Sequence, residues 1–360
     1  MSIRSPYSGL PDYQFWKKEA AINRPETFDP VAEPPFKICP EDAVVTAGSC
    51  FAQHVAHHLS QSGFNHFITE TAHPMFPKST QTLFNYGMFA ARYGNIYTAR
   101  QLKQLLQRAY ENFEPITISW AGKDGKSVVD PFRPQIQPGG FVSEAELQAD
   151  QTYHFASIRK AIEQMKVFVF TLGLTECWID KHSGAVYPVA PGIAGGIYDP
   201  ETVEFYNFNQ QETVEDLLFA LNFIREKNPD VKFVLTVSPV PLNATKEDRH
   251  VFVSSTWSKA VLRVAAEEAT QHIDQCVYFP SFEIITSPFS RGQYFAPDCR
   301  SVTDMGVRHV MHLFIKHFGN SDARNQPETE LIEGGVIQER TESIDALLNV
   351  LCDEEAINNK

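Results

Sequence analysis

The sequence predicts an α/β protein of three layers, in which helices cover both faces of a doubly wound, flavodoxin-like parallel sheet. Four short runs are almost continuously apolar, which is typical of strands that are buried on both faces. Segments with helical periodicity separate these runs, and this alternation favours parallel strands joined by helices. The four predicted strands are residues 43–47, 167–172, 231–237 and 276–279.

The segment before the first strand differs in composition from the rest. Residues 1–42 contain seven prolines with aromatic residues between them, which favours an extended arm packed on the core. A chain of 360 residues is long enough for two domains, but the alternation of strands and helices runs through residues 43–319 and indicates a single one.

Helices are predicted between and after the strands from apolar spacing and from their end signals. Ser143-Glu-Ala-Glu146 has the form of a capping box, Asn228-Pro229 ends one helical pattern, and Gly319 ends the last. The predicted helices cover residues 51–62, 99–112, 143–165, 212–227, 253–272 and 303–318.

Two long stretches, residues 113–142 and 179–209, do not fit the alternation. Connections of this length are commonly lids or binding insertions. Their aromatic residues are therefore candidates for stacking on a sugar or an acyl chain, and these are Trp120, Phe132, Tyr187 and Tyr198.

Residues 320–360 are expected to form a loosely ordered acidic tail. The last forty positions hold ten acidic and three basic side chains, so more than half of the net charge of −13 belongs to them. One weak helical patch covers residues 344–351. This tail is the segment through which a protein partner would bind.

Composition excludes several classes of function. The part of the chain before the tail has no excess of basic residues, which argues against nucleic-acid binding. No run of about eighteen apolar residues is present, and the first residues lack the apolar region of a secretory signal. Six cysteines occur singly and are expected to be thiols. We therefore expect a soluble, cytoplasmic protein that has no membrane partner.

The clearest candidate for chemistry is Gly48-Ser-Cys-Phe-Ala52, between the first predicted strand and the first predicted helix. In a parallel sheet this position is the carboxyl end of a strand, where active sites form. The partial positive charge of the helix N-terminus favours a thiolate or a developing oxyanion. An ordinary turn, with Ser49 as helix cap and Cys50 as a packing residue, is the alternative.

These five residues spell the name of the GSCFA domain family, which is grouped with the SGNH (GDSL-like) hydrolases, and the sequence resembles that family over residues 5–318. Further blocks that look like the family's are Tyr93-Gly-Asn-Ile-Tyr97, Asp130-Pro-Phe-Arg-Pro134, Phe170-Thr-Leu-Gly-Leu-Thr-Glu-Cys-Trp178, Leu235-Thr-Val-Ser-Pro-Val-Pro241 and Tyr278-Phe-Pro-Ser-Phe-Glu283. The resemblance implies an SGNH-like α/β domain.

The resemblance also implies roles for individual residues. The first superfamily block, Gly-Asp-Ser, sets Gly48 on its glycine and Cys50 on its nucleophile; a shift of one residue would make Ser49 the nucleophile. A thiol is the easier of the two groups to activate at a helix N-terminus. The second block places an oxyanion N–H at Gly94, next to Asn95.

The third block, Gly-x-Asn-Asp, corresponds to Gly173-Leu-Thr-Glu176. Thr175 therefore stands where the superfamily has an asparagine that donates to the oxyanion, and Glu176 stands at the position of the aspartate. A hydroxyl can still donate a hydrogen bond, so this departure affects efficiency more than mechanism.

The fourth block, Asp-x-x-His, corresponds to Asp298-Cys-Arg-Ser301, with serine at the position of the histidine. Either the triad is lost or a histidine from elsewhere serves as base, because triads are defined by geometry. The candidates are His250, after the third predicted strand, His309 in the last helix, and His54, one turn after Cys50.

No metal or nucleotide cofactor is indicated. His54, His57 and His58 share a predicted helix, but no carboxylate or second cluster with ligand spacing accompanies them. The glycines of residues 192–196 lie in a long loop and do not open a helix after a strand, as a dinucleotide fingerprint does.

Together these features predict a hydrolase or acyltransferase that acts on an ester, such as an O-acylated carbohydrate or a similar small metabolite. Cys50 or Ser49 would attack the acyl carbon, a histidine would take the proton, and Asp298 would orient that histidine. The alternative is an SGNH relative that binds a ligand without turnover, since the usual base is missing at Ser301.

Overall fold

The computed structural model describes residues 5–320 together with Asp353 and Ile357. It confirms the predicted fold class: a central sheet of parallel strands lies between two layers of helices. The strands are β1 (Val44–Gly48), β2 (Trp120–Ala121), β3 (Val128–Val129), β4 (Val167–Leu172), β5 (Glu176–Asp180), β6 (Val186–Tyr187), β7 (Val203–Asn207), β8 (Lys232–Val237) and β9 (Cys276–Tyr278).

The α-helices of the described residues are α1 (Phe51–Gln61), α2 (Lys78–Leu83), α3 (Ala99–Ala109), α4 (Glu144–Gln164), α5 (Gln210–Lys227), α6 (Val251–His272), α7 (Ser281–Thr286) and α8 (Asp304–Phe318). The short helices α2 and α7 were not predicted, and the other six start and end within three residues of their predicted positions. Side-chain caps explain several starts: Ser143 accepts from the N–H of Glu146, and Asn209 forms a complete capping box with Glu212. No helix in the described part of the chain combines the length and apolar character needed to cross a bilayer.

The central sheet has the order β1-β4-β8-β9, and every neighbouring pair is parallel. Alternate side chains of β4 enter opposite layers because successive residues of a strand point to opposite faces. Phe168 and Phe170 pack in the cluster that contains α3, α4, α5 and α6. Val167 and Val169 pack with α1, α7 and α8. Burial on both faces is the reason that these strands are apolar throughout.

A fifth, rudimentary strand lies on the free side of β1. His66 forms a parallel bridge with Val44, the Val44 N–H donates to the Asn65 carbonyl at 2.9 Å, and the Phe67 N–H donates to the Val44 carbonyl at 2.8 Å. The segment at His66, which is the next to pair after β1, thus lies on one side of β1, and β4 lies on the other. The carboxyl end of β1 is therefore the topological switch point, where open α/β sheets bind ligands.

Small antiparallel sheets are formed by the two stretches that do not follow the alternation of strands and helices, residues 113–142 and 179–209. Strands β2 and β3 pair within residues 113–142, and β6-β5-β7 form a second sheet that begins at Glu176, before residue 179. Trp120 and Tyr187, expected to be available for stacking, pack on each other with ring centroids 5.0 Å apart and are 8% and 1% exposed. They belong to a local core. Tyr198 is 43% exposed and keeps an accessible face.

The N-terminal arm, described from residue 5, consists of short 3₁₀ turns and extended segments that lie on α8. The Ile38 N–H donates to the Phe318 carbonyl at 2.7 Å, and Asp29 pairs with His317 at 2.8 Å. The acidic tail falls outside the described residues except for Asp353 and Ile357, and so does the weak helical patch predicted at 344–351.

Candidate active site

The turn between β1 and α1 depends on a glycine. Gly48 has a φ of +131°, which residues with a Cβ rarely adopt, and a Cβ there would overlap the backbone of Thr171 in β4. The Ser49 N–H donates to the Thr171 carbonyl at 3.0 Å, and the Ile96 N–H donates to the Gly48 carbonyl at 2.8 Å. These bonds hold the turn between β4 and the segment that contains Ile96.

Ser49 and Cys50 follow at the switch point, and both are buried, with 3% and 7% exposure. Cys50 occupies the N-cap position of α1, so its side chain starts at the positive end of the helix dipole. Ser49 packs on Gly173, where a Cβ would lie 3.0 Å from that of Ser49. Among the described residues, the Ser49 Oγ has no hydrogen-bond partner. The turn thus presents two different potential nucleophiles.

The segment after Gly94, which has a φ of +70°, brings polar side chains beside this turn. Asn95 accepts a hydrogen bond at 2.8 Å from the amide of Gln53, one turn along α1. The Asn95 Nδ2 then donates at 3.0 Å to a carboxylate oxygen of Asp353, and the Tyr97 hydroxyl lies 3.3 Å from the same oxygen. The Asn95 amide is therefore oriented to donate to an anionic oxygen.

A buried ionic network holds that segment in place. The Arg92 N–H donates to Glu70 at 2.7 Å, and the Arg92 carbonyl accepts from Arg133 at 3.3 Å. Arg133 also forms ion pairs with Asp130 at 2.9 Å and Asp150 at 2.7 Å. The block Asp130-Pro-Phe-Arg-Pro134 thus supports the backbone that carries Gly94 and Asn95. Its role in the structure is positioning.

The protonation states in this network follow from burial and contacts. Burial opposes ionisation of Glu70, but His154, Arg133 and the Arg92 N–H lower its pKa to about 2. Burial is the main cause that lowers the pKa of His154, whose Nδ1 lies 2.6 Å from Glu70. His154 is therefore a neutral imidazole whose Nδ1–H donates to the ionised Glu70.

The third block lies at the end of β4 and lines the other side of Ser49. The Thr175 hydroxyl lies 2.8 Å from Asn207 Oδ1 and 3.0 Å from Ser258 Oγ, and the Gly173 carbonyl accepts from Lys259 at 2.7 Å. The single hydroxyl proton of Thr175 is directed to this local network. Its expected part as an oxyanion donor stays a prediction.

Glu176 takes part in a separate contact. Its carboxylate accepts a hydrogen bond at 2.8 Å from the Thr245 hydroxyl, and burial raises its pKa. This contact joins the start of β5 to the loop after β8. Glu176 therefore fixes that loop beside the site.

Two of the histidines expected to act as the base, His250 and His309, form hydrogen bonds with other groups. His250 is exposed and caps α6, where its Nδ1 accepts from the Phe252 N–H at 3.1 Å. His309 lies near the N-terminal arm, and its Nδ1 is 2.7 Å from the Tyr294 hydroxyl. Their assignment as catalytic base stays a prediction.

Asp298 is bonded within its own turn. Its carboxylate accepts from the Ser301 hydroxyl at 2.6 Å and from the N–H groups of Arg300 and Ser301 at 2.9 Å. The Ser301 hydroxyl, followed by the Arg300 N–H, lowers the pKa of this exposed carboxylate. The serine that replaces the expected histidine thus binds the aspartate of the same block.

His54 is the histidine nearest to Cys50 in the sequence. Burial, with a smaller contribution from His58 and His57, lowers its pKa to about 4. At neutral pH it is an uncharged and weakly basic imidazole. In the described part of the chain, no three His, Cys, Asp or Glu side chains are arranged to hold a metal ion, and this includes the histidines of α1.

Four side chains at the site were missed by the sequence analysis: Gln53, Tyr97, Lys259 and Asp353. Gln53 had a local signal, since it lies three residues after Cys50, one turn along the same helix. Lys259 and Asp353 had none, because tertiary packing alone brings them to the sheet edge.

Comparison with known proteins identifies the family of the chain. A family model, the GSCFA family, matches residues 43–314, more than two thirds of the chain. The chain belongs to the GSCFA family. The matched region begins just before β1 and ends within α8, so the arm and the acidic tail lie outside it. A search of curated proteins found no match.

The GSCFA blocks meet at one edge of the sheet. Besides the turn after β1 and the end of β4, the block after β8 contributes Ser238, whose N–H donates to the Leu172 carbonyl at 2.8 Å. In the block after β9, the Ser281 hydroxyl lies 2.5 Å from that of Thr236. The blocks thus stabilise the same strand ends that position Ser49 and Cys50.

Proposed function

We propose that this GSCFA protein is an acyl-transfer enzyme of the SGNH type, a hydrolase or acyltransferase that acts on an ester. The observation that carries the proposal is the turn at Gly48, which places Ser49 and Cys50 at the switch point beside the donor amide of Asn95. Parallel α/β sheets form active sites at this position.

Cys50 is the proposed nucleophile. A serine hydroxyl needs a positioned base, and among the described residues no histidine forms a hydrogen bond with the Ser49 Oγ. A thiol needs only a modest reduction in pKa, which a helix N-terminus favours. The Cys50 thiol would lose its proton to a general base and attack the acyl carbon, and the ester C–O bond would break as that proton passes to the leaving alkoxide. Water or an acceptor hydroxyl would then attack the thioester and give its proton to the same base. The C–S bond would break, and this proton would return Cys50 to the thiol.

The negative charge that develops on the acyl oxygen would be stabilised by Asn95 Nδ2 and by the Gly94 N–H. The hydrogen bond from Gln53 fixes the orientation of the Asn95 amide before substrate binds, so no reorganisation is needed during the reaction. The contact with Asp353 supports this role because the same amide already donates to an anionic oxygen.

The substrate would extend into a groove of about 230 Å³ that adjoins β5. Leu174, Trp178, Pro188 and Leu242 give the groove apolar walls, and Glu176 and Lys246 add polar groups at its margin. A short acyl chain or one face of a sugar ring has the matching character. We therefore propose an O-acylated carbohydrate or a similar small ester as substrate.

Assays with a panel of esters test the proposal. The wild type is expected to hydrolyse at least one short-chain ester or to transfer its acyl group. Cys50→Ala is expected to lose at least about a hundredfold in kcat, whereas Ser49→Ala keeps most of the activity. Cys276→Ala is the matched control, since this buried thiol lies in β9. Equal activity of the wild type and Cys50→Ala would contradict the assignment.

A second candidate function, ligand binding without turnover, is favoured by the turn at Asp298. That carboxylate is bonded to Ser301 and to its own backbone, so the fourth block holds no imidazole at the usual place. This candidate predicts binding of a short-chain ester with no release of its alcohol by any variant. The alcohol is released in both hydrolysis and acyl transfer, so its release in the ester assay separates the two functions.

We further propose that the protein acts in the cytoplasm. In the described part of the chain, Cys39, Cys177, Cys276 and Cys299 form no disulfide, which supports a reducing compartment. A reducing compartment would also keep Cys50 available as a nucleophile. Fractionation of the cells that produce the protein, followed by immunodetection, tests this location.

A further inference from the structure

One residue of the acidic tail reaches the candidate active site. Asp353 lies more than thirty residues beyond Asn320 in the sequence, yet its side chain is only 3% exposed. Its carboxylate Oδ2 accepts from Asn95 at 3.0 Å and lies 3.3 Å from the Tyr97 hydroxyl. Its own N–H donates to that hydroxyl at 3.1 Å. Both the backbone and the side chain of Asp353 are thus bound.

A buried carboxylate is costly to remove from water and stays buried only where donors replace its hydration. The donors at this position are the amide of Asn95 and the phenol of Tyr97. Contacts with residues outside the tail hold both of these residues. The Asn95 amide is held by Gln53, and the Tyr97 carbonyl accepts from the N–H groups of Gly173 and Leu174 at 3.0 and 2.9 Å. The pair forms a preformed binding position for a carboxylate.

A second tail residue supports the same placement. Ile357, four residues after Asp353, lines the groove that also contains Leu174, Trp178 and Leu242. The tail thus contributes a carboxylate beside the nucleophile turn and an apolar side chain in the adjoining groove. A short acyl group has the same two parts, an oxygen-bearing end and an apolar body.

We propose that Asp353 is an internal competitive ligand, whose carboxylate occupies the position on Asn95 and Tyr97 that a short-chain carboxylic acid takes when it is released as product. The inference rests on the proposed function, because it identifies this position as the acyl side of the site. No covalent step is involved. Ligand and tail exclude each other because both use the same two donors.

Tethering makes such competition effective even when the contact itself is weak. Because Asp353 belongs to the same chain as its binding position, its binding is intramolecular and does not depend on the protein concentration. A free ligand then binds with an apparent Kd equal to its intrinsic Kd divided by the fraction of molecules in which Asp353 does not occupy the position. Loss of the Asp353 carboxylate removes this competition and leaves the donors in place.

The test is carried out on the full chain with Asp353→Asn, which keeps the shape of the side chain and removes its charge. Sodium butyrate, titrated at constant ionic strength and followed by calorimetry, is expected to bind at least threefold more tightly to this variant than to the wild type. The KM for a short-chain ester is expected to fall by a similar factor. Asp353→Glu, which restores a carboxylate, should return both values toward those of the wild type.

The matched control is Asp230→Asn, an equivalent change at an exposed position before β8, at the opposite edge of the sheet. It should leave both values unchanged. Equal butyrate affinity in the wild type and Asp353→Asn would overturn the inference, and so would a tenfold loss of kcat at constant KM, which would make Asp353 part of the catalytic machinery. Tighter butyrate binding without turnover of any ester would support the internal ligand and reject the proposed function.

Discussion

At the scale of single residues, the site depends on how closely two strands approach each other at Gly48. The φ of +131° and the backbone of Thr171 leave no space for a side chain at this position. The clash is with backbone atoms of the sheet, which cannot move aside as the end of a flexible side chain can. The position of Cys50 is therefore set by the packing of β1 on β4.

Gly48→Ala is expected to lower the free energy of unfolding by at least about 2 kcal/mol, because it adds a clash to an unfavourable φ. Urea denaturation at neutral pH measures the change. Gly87→Ala is the matched control: Gly87 also has a positive φ, of +81°, but a Cβ there meets nothing within 4 Å. Gly87→Ala should lower the free energy of unfolding by only about 1 kcal/mol, the conformational cost of a positive φ for a residue with a Cβ. Equal costs for the two variants would refute the role of the strand contact.

Asn95 is the residue through which the proposed catalysis can be tested independently of the nucleophile. Asn95→Ala removes a donor from the oxyanion position and is expected to lower kcat on short-chain esters by about 10²–10³. The KM should change less, since the donor acts mainly in the transition state. Asn112→Ala, at an exposed position, serves as control. An Asn95→Ala variant with normal kcat would remove Asn95 from the mechanism.

At the scale of elements, the segment that carries Asn95 is an irregular connection supported by buried ion pairs. Arg133 is 4% exposed and bridges Asp130 and Asp150, and it also donates to the backbone of Arg92. Irregular backbone inside a protein needs such partners for its polar groups. The two small antiparallel sheets pack on each other through Trp120 and Tyr187.

Arg133→Met is expected to destabilise the protein by about 3–5 kcal/mol, because it removes the ion-pair partner of the buried Asp130 and leaves Asp150 with Arg92 alone. Thermal and urea unfolding measure the effect. Arg308→Met removes an exposed ion pair with Asp304 on α8 and should cost less than about 1 kcal/mol. A similar cost for both variants would show that the network does not support the fold.

At the scale of the whole molecule, stability is expected to fall as the pH is lowered from about 6.5 to 4. Burial lowers the pKa of His54 and His66 to about 4, so both stay neutral in the folded protein while they gain protons in the unfolded chain. Their contribution to the free energy of unfolding is complete above the pKa that histidine has in the unfolded chain. It is lost as the pH falls toward the pKa in the folded protein.

Each of these two histidines contributes up to about 3 kcal/mol to this change. Urea unfolding at pH 7 and pH 4.5 measures the difference in free energy. His66→Gln should reduce the pH dependence, because it removes one of the two groups that gain a proton on unfolding. Asn112→Ala, at an exposed position without a titratable group, is the control and should leave the pH dependence as it is. An identical pH profile for His66→Gln and the wild type would contradict the assignment.

Local patterns were enough to predict the layers of the fold. Residues 167–172 were predicted as a strand and form β4 with the same bounds, because both faces of that strand are buried. Helix ends followed from caps such as Ser143. The sheet around β5 was not predicted, since its strands are partly exposed and their pairing joins segments that are distant in the sequence.

The candidate site was predicted in part. Gly48, Cys50 and Asn95 were identified from the strand end and the family blocks, and they lie together in the structure. His250 was expected at the same edge, but its imidazole is used as a helix cap, a local interaction that competes with a catalytic role. Asp353 could not be identified from the sequence, because only tertiary contacts bring it to Asn95.

If Cys50 carries the acyl group, mass spectrometry of the protein after rapid mixing with a short-chain ester should detect the acylated protein. We expect an increase in mass equal to one acyl group, located in the peptide that contains Cys50 and absent from Cys50→Ala. Hydrolysis of the ester with the acyl group on Ser49, or with no acylated protein at any time, would contradict this role of Cys50.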